Sequence, residues 1–166
     1  MRFKDLLERV EGSKEFKKFE EENSNAELCA GFFILDFLSN DSKDTLDYKI
    51  GEKIFTFSIR DEKIIINEDR LIDEAGRPGL VKIDKEINID VDELKGIVGL
   101  CSLDEGISAK LNKIIAVLQK YNEKQIWNLT CMLDGLIILN VHVDALSGDV
   151  LKFERKSMMD LIKRKD

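Results

Sequence analysis

The sequence predicts an α+β fold in which helices pack on antiparallel sheet. Apolar residues recur at helical spacing near the start, apolar and polar residues alternate in later segments, and glycine-containing turns join those segments. The chain has 166 residues, of which 43% are hydrophobic and 36% charged. A chain of this size and composition forms one compact domain or two small intertwined halves.

Two short helices are predicted first, followed by a buried strand. Apolar residues recur at helical spacing over 3–10 and again at Phe16 and Phe19, with a hinge near Gly12. A nearly continuous apolar run over 26–38 follows. Because this run is rich in Phe and Ile, it predicts the most buried strand of the sheet.

A β-hairpin is predicted next, with strands over 46–50 and 53–59 joined at Gly51-Glu52. Apolar residues alternate with polar ones in the second strand, which is the pattern of a strand with one buried face. Strand character continues over 63–66.

The stretch 67–90 is predicted to be a connector between two halves, 1–66 and 91–166. It is acidic and irregular, and it contains the only proline, Pro78, between two glycines. These glycines fit neither a phosphate-binding loop nor a dinucleotide fingerprint, so they are interpreted as turns.

Two helices are predicted after the connector. Asp90 and Glu93 have the spacing of a capping box, and the helix they start is expected to end near Cys101. Apolar residues over 107–120 then fall on one helical face, which predicts a second helix. Asp104 is placed to cap it.

Three strands, 125–133, 136–144 and 149–155, are predicted to form an antiparallel meander that completes a helix-plus-three-strand half. Asp134-Gly135 is a strong hairpin signal, and the second turn is 146–148. One face of the first two strands is apolar and is expected to pack on the second helix. The residues of this face are Trp127, Leu129, Cys131, Leu133, Ile137, Leu139, Val141 and Val143.

A last helix is predicted to start at Ser157. Met158, Leu161 and Ile162 would share its apolar side, and the basic residues 163–165 would complement the negative end of its dipole.

The two halves repeat one order of features: an amphipathic helix ending in Asn, an apolar strand ending in Leu-Asp, and a hairpin at Gly followed by an acid. The helices so matched are 16–23 and 115–122, and the hairpins lie at Gly51 and Gly148. This order is compatible with duplication. It is equally compatible with any α+β unit of this kind, so both explanations stay open.

The charge of the chain argues against nucleic acid as a partner. There are 26 basic and 33 acidic residues, giving a net charge of −7, and the isoelectric point is near 4.9. Such a surface repels a phosphate backbone. The bias toward Ile, Lys and acidic residues is typical of AT-rich genomes, archaeal ones among them.

A cytoplasmic location is expected. The longest apolar run, 28–35, has eight residues, far fewer than the roughly 20 that a membrane-spanning helix needs. The first residues mix charges of both signs and do not resemble a secretion signal. No membrane association is therefore predicted.

The three cysteines, Cys29, Cys101 and Cys131, are predicted to be reduced thiols without catalytic role. Their number is odd and none belongs to a CxxC motif, so neither a disulfide framework nor a zinc site is indicated. Cys29 and Cys131 lie in apolar strands, where burial raises the pKa of a thiol.

Asn140, His142 and Asp144 are the one candidate polar cluster, because alternate residues of a strand share a face. His142 is the only histidine. A carboxylate beside an imidazole could hold its tautomer for acid–base chemistry or contribute to a mixed metal site. The alternative, which is favoured, is a solvated strand face ending in a turn-forming aspartate. No catalytic residue, cofactor-binding residue or metal ligand is predicted.

The segment 141–151 reads Val-His-Val-Asp-Ala-Leu-Ser-Gly-Asp-Val-Leu. It resembles the hairpin of PepSY-type domains, in which a hydrophobic strand is followed by Asp-Ala, a spacer, Thr-Gly-Glu and another hydrophobic strand. Ser147 replaces Thr and Asp149 replaces Glu. The resemblance extends over 107–157 and implies a helix on a small antiparallel sheet, a cystatin-like shape. PepSY-type domains are regulatory or inhibitory modules of secreted peptidases. Their motif contains no catalytic residue to carry over.

Three functions remain open from sequence. The leading hypothesis is a non-enzymatic binding or regulatory module that recognises a protein or peptide by a sheet surface or edge. The alternative is a small-molecule-binding protein or enzyme with a cavity between helix and sheet, lined by Trp127, Phe33, Phe55 and Phe57. The third is a structural homodimer formed by pairing of edge strands. No cofactor is expected in any of them.

Overall fold

The computed structural model describes residues 1–39, 41–70 and 80–157, and these form three helices and eight strands. The helices are α1 (Phe3–Glu11), α2 (Lys14–Glu22) and α3 (Val91–Asp104). The strands are β1 (Glu27–Asp36), β2 (Ser42–Ile50), β3 (Lys53–Arg60), β4 (Lys63–Arg70), β5 (Leu111–Tyr121), β6 (Lys124–Leu133), β7 (Ile137–Asp144) and β8 (Val150–Ser157).

The eight strands form one antiparallel sheet in the order β4-β3-β2-β1-β5-β6-β7-β8. Each group of four is a meander of sequential hairpins. The two meanders meet where β1 pairs with β5, in a register that runs from Gly31 opposite Leu118 to Asp36 opposite Lys113. The α+β class is therefore confirmed, with the sheet as its larger part.

The three helices contribute their buried residues to one core on one face of the sheet. Phe16 and Phe19 of α2 contact the ring of Phe57 in β3, with ring centroids 5.5 and 5.0 Å apart. Leu94 and Val98 of α3 are buried in the same core. Among the described residues, no helix lies on the opposite face.

The centre of the core joins the two meanders through aromatic rings. Phe33 of β1 and Trp127 of β6 are fully buried and meet edge to face, with ring centroids 5.7 Å apart. The indole Nε1 of Trp127 donates a hydrogen bond to the carbonyl of Ile89 at 2.7 Å. Trp127 thus satisfies its only donor inside the core.

The described part of the predicted connector is irregular but is fixed to the sheet. Ile83 and Ile87 are buried, and the amide of Ile83 donates to the carbonyl of Leu28 at 2.9 Å. The side chain of Gln125 accepts from the amide of Asp84 at 2.7 Å and donates to its carbonyl at 2.8 Å. These bonds attach the connector to both meanders.

Asp90 caps two helices from different halves of the chain. Its carboxylate accepts from the amide of Val91 at 2.6 Å, and from the amides of Phe3 at 2.7 Å and Lys4 at 3.2 Å, at the start of α1. Glu93 completes the predicted capping box, because its carboxylate accepts from the Asp90 amide at 3.0 Å. Asp90 is only 5% exposed.

Most elements follow the sequence-based expectations. The two N-terminal helices, a strand at β1, the β2–β3 hairpin, the capping box of α3 and the β6–β7–β8 meander are confirmed. The prediction that β1 is the most buried strand is wrong, because more positions of β6 are buried. The apolar faces of β6 and β7 lie in the core, but the helix over 107–120 on which they were expected to pack is absent, since that segment forms β5.

The predicted helix over 107–120 is wrong, because this segment forms β5, and the second half therefore has four strands. Ile114, Ala116 and Leu118 are fully buried in alternation along β5. Apolar residues also occupy the other face, so the run of apolar residues matched helical spacing. Asp104 is the last residue of α3 and caps no second helix.

Other boundaries also differ. The predicted connector is wrong over 67–70, which belong to β4. Ser157 is the last residue of β8 instead of a helix cap, and the helix predicted after it lies outside the described residues. Pro78 and its flanking glycines also lie outside them.

We expect Asp90→Ala to lower the free energy of unfolding by about 3 kcal/mol, because it removes a cap and leaves buried amides of two helices without acceptors. Asp90→Asn should lose less, since one carbonyl oxygen remains. Urea unfolding followed by circular dichroism measures both. The control is Asp92→Ala, an exposed first-turn change in α3. Equal losses for Asp90→Ala and Asp92→Ala would contradict the double cap.

Candidate functional site

The face of the sheet opposite the helices is the candidate site, and it is called the open face below. Residues paired across antiparallel strands share a face, so the strand registers define it. Its central rows are Thr45, Phe32, Val117, Asn128, His142 and Lys152 in one, and Lys43, Ile34, Ile115, Thr130, Asn140 and Glu154 in the other.

Four apolar side chains form a stripe across the middle of the open face. Phe32 pairs with Val117, and Ile34 pairs with Ile115, at the junction of β1 and β5. All four residues are of intermediate burial although no described helix covers them. This central stripe is where the two meanders join.

Asparagine side chains lie beside the central stripe on β6 and β7. The amide nitrogen Nδ2 of Asn140 donates to Oδ1 of Asn128 at 3.1 Å and to the carbonyl of Leu129 at 3.2 Å. Asn128 lies opposite Val117 in the β5–β6 register. A polar ladder therefore borders the apolar stripe.

His142 is held by an aromatic neighbour on the open face. Its ring meets Tyr121 edge to face, with centroids 5.4 Å apart, and only 8% of the residue is exposed. Burial, followed by the nearby charge of Lys152, lowers the pKa of His142 below its ordinary value of 6.5. Its surroundings therefore favour the neutral imidazole over the charged form.

Asp144 forms the turn that follows β7. Its carboxylate accepts from the amides of Leu146 at 2.8 Å and Ser147 at 3.1 Å, and these bonds lower its pKa. The hydroxyl of Ser147 accepts from the amide of Asp149 at 3.1 Å, and Gly148 has a φ of +83°. This is the turn chemistry expected from sequence.

The structure therefore does not assemble the sequence-predicted cluster into a catalytic centre. Asn140 is bonded to Asn128, Asp144 is bonded to turn amides, and His142 packs on Tyr121. The three residues share a face without converging on one point. The turn-forming interpretation of Asp144 fits this geometry.

A second polar group, not singled out from the sequence, lies on the other half of the open face. The hydroxyl of Thr56 donates to Oδ1 of Asp47 at 2.7 Å, and burial raises the pKa of Asp47. The thiol of Cys29 donates to the Asp47 carbonyl at 3.3 Å. The available signal was the predicted hairpin itself, because its two-residue turn at Gly51-Glu52 places Asp47 opposite Thr56.

Basic side chains outnumber acidic ones on the open face, although the whole chain is acidic. The basic residues in register with this face are Lys43, Lys49, Arg60, Lys63, Lys113, Lys124, Lys152 and Lys156. The acidic ones are Glu27, Asp36, Asp47, Asp69, Asp144 and Glu154. The acidic excess of the described residues therefore lies elsewhere.

The cysteines are not activated. Burial raises the pKa of Cys29 and of Cys131 to about 12, and for Cys29 the charge of Asp47 adds to the effect. Burial, then Glu105 and Asp104, raises the pKa of Cys101. Within the described residues, no group of three His, Cys, Asp or Glu side chains is placed to hold a metal ion.

The cavity expected between the 107–120 segment and the sheet is wrong, because that segment is a strand. Phe33, Phe57 and Trp127 are fully buried in the core. Phe55 packs on Phe19 with ring centroids 5.0 Å apart. An open groove of about 380 Å³ lies instead beside α2, lined by Phe16, Lys17, Phe19, Glu20, Glu21, Ser24 and Ala26.

The three helices are short, and α1 and α2 are amphipathic. In the described part of the chain, none of them is long and apolar enough to span a bilayer.

The lowered pKa of His142 predicts a pH dependence of stability. The unfolded chain binds the His142 proton more readily than the folded chain does. The free energy of unfolding is therefore at its full value above pH 6.5, and it falls as the pH drops through 6.5 toward the folded-state pKa. Titration by NMR should give a His142 pKa below 6.5. Lys152→Ala should raise it, and His142→Asn should remove the stability change in this window. A pKa above 6.5 would contradict the burial argument.

Two glycine turns allow the energetic cost of backbone strain to be measured separately from the cost of crowding against a neighbouring side chain. Gly148 and Gly135 have φ of +83° and +82°, but a Cβ at Gly148 would also lie 3.1 Å from Ile89. We expect Gly135→Ala to cost about 1 kcal/mol and Gly148→Ala about 2 kcal/mol in unfolding free energy. Thermal unfolding of both variants tests this. Equal losses would show that Ile89 moves aside freely.

Comparisons with known proteins give a likeness of fold alone. No family model matches the sequence, and no curated protein matches it. Among solved structures, the chain is similar to the crystal structure of a putative lipoprotein from Clostridium difficile 630, with a TM-score of 0.58 and 16% sequence identity. The likeness covers 86% of this chain and 90% of that protein.

Proposed function

We propose that this chain is a non-enzymatic protein-binding module whose interaction surface is the open face of the sheet. The observation that carries the proposal is the central stripe of Phe32, Ile34, Ile115 and Val117, an apolar strip in the middle of a face that no described helix covers.

The size of the open face suits a protein partner. Strands lie about 4.8 Å apart and rise about 3.3 Å per residue, so eight strands of this length present roughly 1,000 Å². A specific interface of standard size uses about 800 Å² per partner. The open face is therefore large enough for one such interface.

The distribution of residues also suits an interface. Specific interfaces have an apolar centre that excludes water and a polar rim that remains hydrated. The central stripe supplies the apolar centre. The polar rim consists of the asparagine ladder of Asn128 and Asn140 on one side and of Thr56 with Asp47 on the other.

The charge of the open face indicates the kind of partner. Its basic excess favours a protein with an acidic surface, because complementary charges steer association and disfavour wrong partners.

The partner need not be a peptide that extends the sheet. Both edge strands carry charged side chains, such as Glu68 on β4 and Glu154 on β8, and charges on an edge discourage strand pairing.

The alternative function is small-molecule binding in the groove beside α2. The groove combines the rings of Phe16 and Phe19 with Lys17, Glu20 and Glu21. These charged side chains do not converge on a buried point, and the groove is open to solvent. The open face is therefore the stronger candidate.

The proposal includes an evolutionary and a cellular part. Each half has helical structure followed by a four-strand meander, and the halves meet as an antiparallel pair, which supports duplication of a cystatin-like, PepSY-like unit. Such a duplication matches β1 with β5. The earlier match of 16–23 with 115–122 is wrong, since it compares a helix with a strand.

We place the protein in the cytoplasm, where its three thiols stay reduced.

We expect Val117→Arg and Ile34→Arg to abolish capture of a specific partner in crosslinking from native extract, because each puts a charge in the apolar centre. Glu8→Arg on exposed α1 is the control and should capture the partner like the parent chain. Circular dichroism and thermal unfolding check that the variants fold.

Glu21→Arg tests the alternative in the same experiment, because Glu21 lines the groove beside α2. Partner capture lost with Glu21→Arg but kept with Val117→Arg would refute the open-face proposal. Absence of any partner that distinguishes the folded variants would refute it as well.

A further inference from the structure

Helix α3 has apolar residues on two opposite sides, whereas α1 and α2 are amphipathic. Leu94 and Val98 lie in the core on one side. On the other side, Leu100 and Leu103 are 69% and 65% exposed. A helix on a protein surface normally presents polar residues to solvent, and a helix that is apolar all round is normally buried. The middle of α3 therefore has the composition of a helix packed on both sides, although the described chain covers only one of them.

The exposed side of α3 also allows close approach. Gly96 and Gly99 lie beside the two exposed leucines, and a Cβ added at either glycine would meet no atom of the described residues within 4 Å. Glycine in the interior of a helix is less favourable than alanine, and no contact within the described fold requires it at these positions. Another surface can therefore come near the helix backbone here. The four residues Gly96, Gly99, Leu100 and Leu103 are called the outer face of α3.

The outer face of α3 is bordered by acidic residues. They lie in the first turn of the helix and at its C-terminal end, and they are Asp92, Glu93, Asp104 and Glu105. Lys95 is the one basic residue of the helix, and its Nζ lies over the ring of Phe37, 4.5 Å from the ring centroid. A surface that covers the outer face would therefore meet an apolar centre with negative charge at both ends.

The open face has the complementary properties. Its centre is the central stripe, which belongs to strands with the apolar composition of strands buried on both sides. Basic residues outnumber acidic ones on this face, and Lys43 lies directly opposite Ile34 in the β1–β2 register. The open face therefore offers an apolar centre with a predominantly basic border.

The dimensions of the two surfaces are compatible. Helix α3 has 14 residues and is about 21 Å long. Strands β1 and β5 have 10 and 11 residues, so each is roughly 33 to 36 Å long. The helix can therefore lie within the length of the β1–β5 junction, as helices already lie on the other face of the same sheet.

We propose that the partner of the open face is a second copy of this chain, which docks through the outer face of its α3. Leu100 and Leu103 of one copy pack on the central stripe of the next, and the two glycines let the helix approach the sheet closely. The acidic residues of α3 then lie near the basic border of the open face. This inference rests on the proposed function of the open face and names its partner.

Contacts between like surfaces are less favourable. Two open faces would bring one basic excess against another, and two α3 helices would bring their acidic ends together, and like charges oppose association. The contact therefore joins two different surfaces, so each bound copy keeps one surface free and the copies associate head to tail. One helix on a sheet buries less area than a standard interface, so this association is weak and reversible.

Sedimentation velocity of the intact chain tests the inference. From about 0.01 to about 1 mM, the range that suits a weak interface, the average mass should rise above the 19.0 kDa of one chain and pass that of two chains. Val117→Arg on the open face and Leu100→Arg on α3 should each stay monomeric. Leu146→Arg is the matched control, because it changes a leucine that is 55% exposed in the turn after β7, and it should associate like the parent chain.

Mixing the two monomeric variants tests the head-to-tail contact. Val117→Arg keeps an intact outer face of α3, and Leu100→Arg keeps an intact open face, so equal amounts should form a complex of two chains and no larger one. Misfolded chains cannot produce this restoration. Ile34→Arg and Leu103→Arg are the second variants of the two surfaces and should behave in the same way. D104K/E105K should lower the association constant about tenfold, because it removes the charge attraction.

A parent chain that stays monomeric over the whole range would overturn the inference. So would growth that stops at two chains, or a mixture of the variants that stays monomeric. If the parent chain is monomeric but Val117→Arg loses a partner from native extract that Leu100→Arg still captures, only the second-copy inference fails and the open-face proposal stands. If Val117→Arg associates like the parent chain and captures the same partners, both fail.

Discussion

The carboxylate of Asp90 is the interaction on which the arrangement of the helices depends. It is almost fully buried, yet it accepts from amides at the starts of both α1 and α3. The positive ends of two helix dipoles stabilise the negative charge of this carboxylate, so that it needs no basic side chain as a partner. Because one group closes both helices, the first helix of the chain and the helix of the second half begin at the same point. That point lies beside the Phe33–Trp127 contact, because Ile89 accepts the indole hydrogen bond of Trp127 and the ring of Phe3 packs on Phe33.

This shared origin explains why the two faces of the sheet differ. The helices and the 80–90 segment are held together on one face, and their apolar residues form a single core with the sheet. The other face receives none of the described helices. Its residues at the junction of β1 and β5 are nevertheless apolar, as in a strand that is buried on both sides. The central stripe is therefore a property of the strands at the middle of the sheet, and its exposure follows from the placement of the helices.

Local signals were sufficient for much of the fold. The capping box at Asp90 and Glu93 and the glycine turns at 135 and 148 each depend on residues close together in sequence, and the structure confirms them. The β5 strand was mistaken for a helix because both of its faces are apolar. Its sequence therefore lacks the alternation of apolar and polar residues that distinguishes a strand from a helix. Contacts between residues distant in sequence could not be predicted. Asp90 reaches Phe3 through tertiary structure that no local pattern encodes. The Thr56–Asp47 pair, in contrast, follows from the register that the two-residue turn of the β2–β3 hairpin imposes. Asp144 was interpreted correctly because its partners are its own neighbours.

The pairing of β1 with β5 has a consequence for how the chain folds. Every other strand pair joins sequential strands through a short turn, so each can close with little loss of loop entropy. The central pair alone must bring together strands from distant parts of the sequence. Contacts of that kind slow folding, because the chain loses entropy before the contacts form. We therefore expect the two meanders to organise first and their junction to form late. At high concentration, β1 of one molecule and β5 of another can meet before their own partners do, and exchange of whole halves between molecules then competes with correct folding.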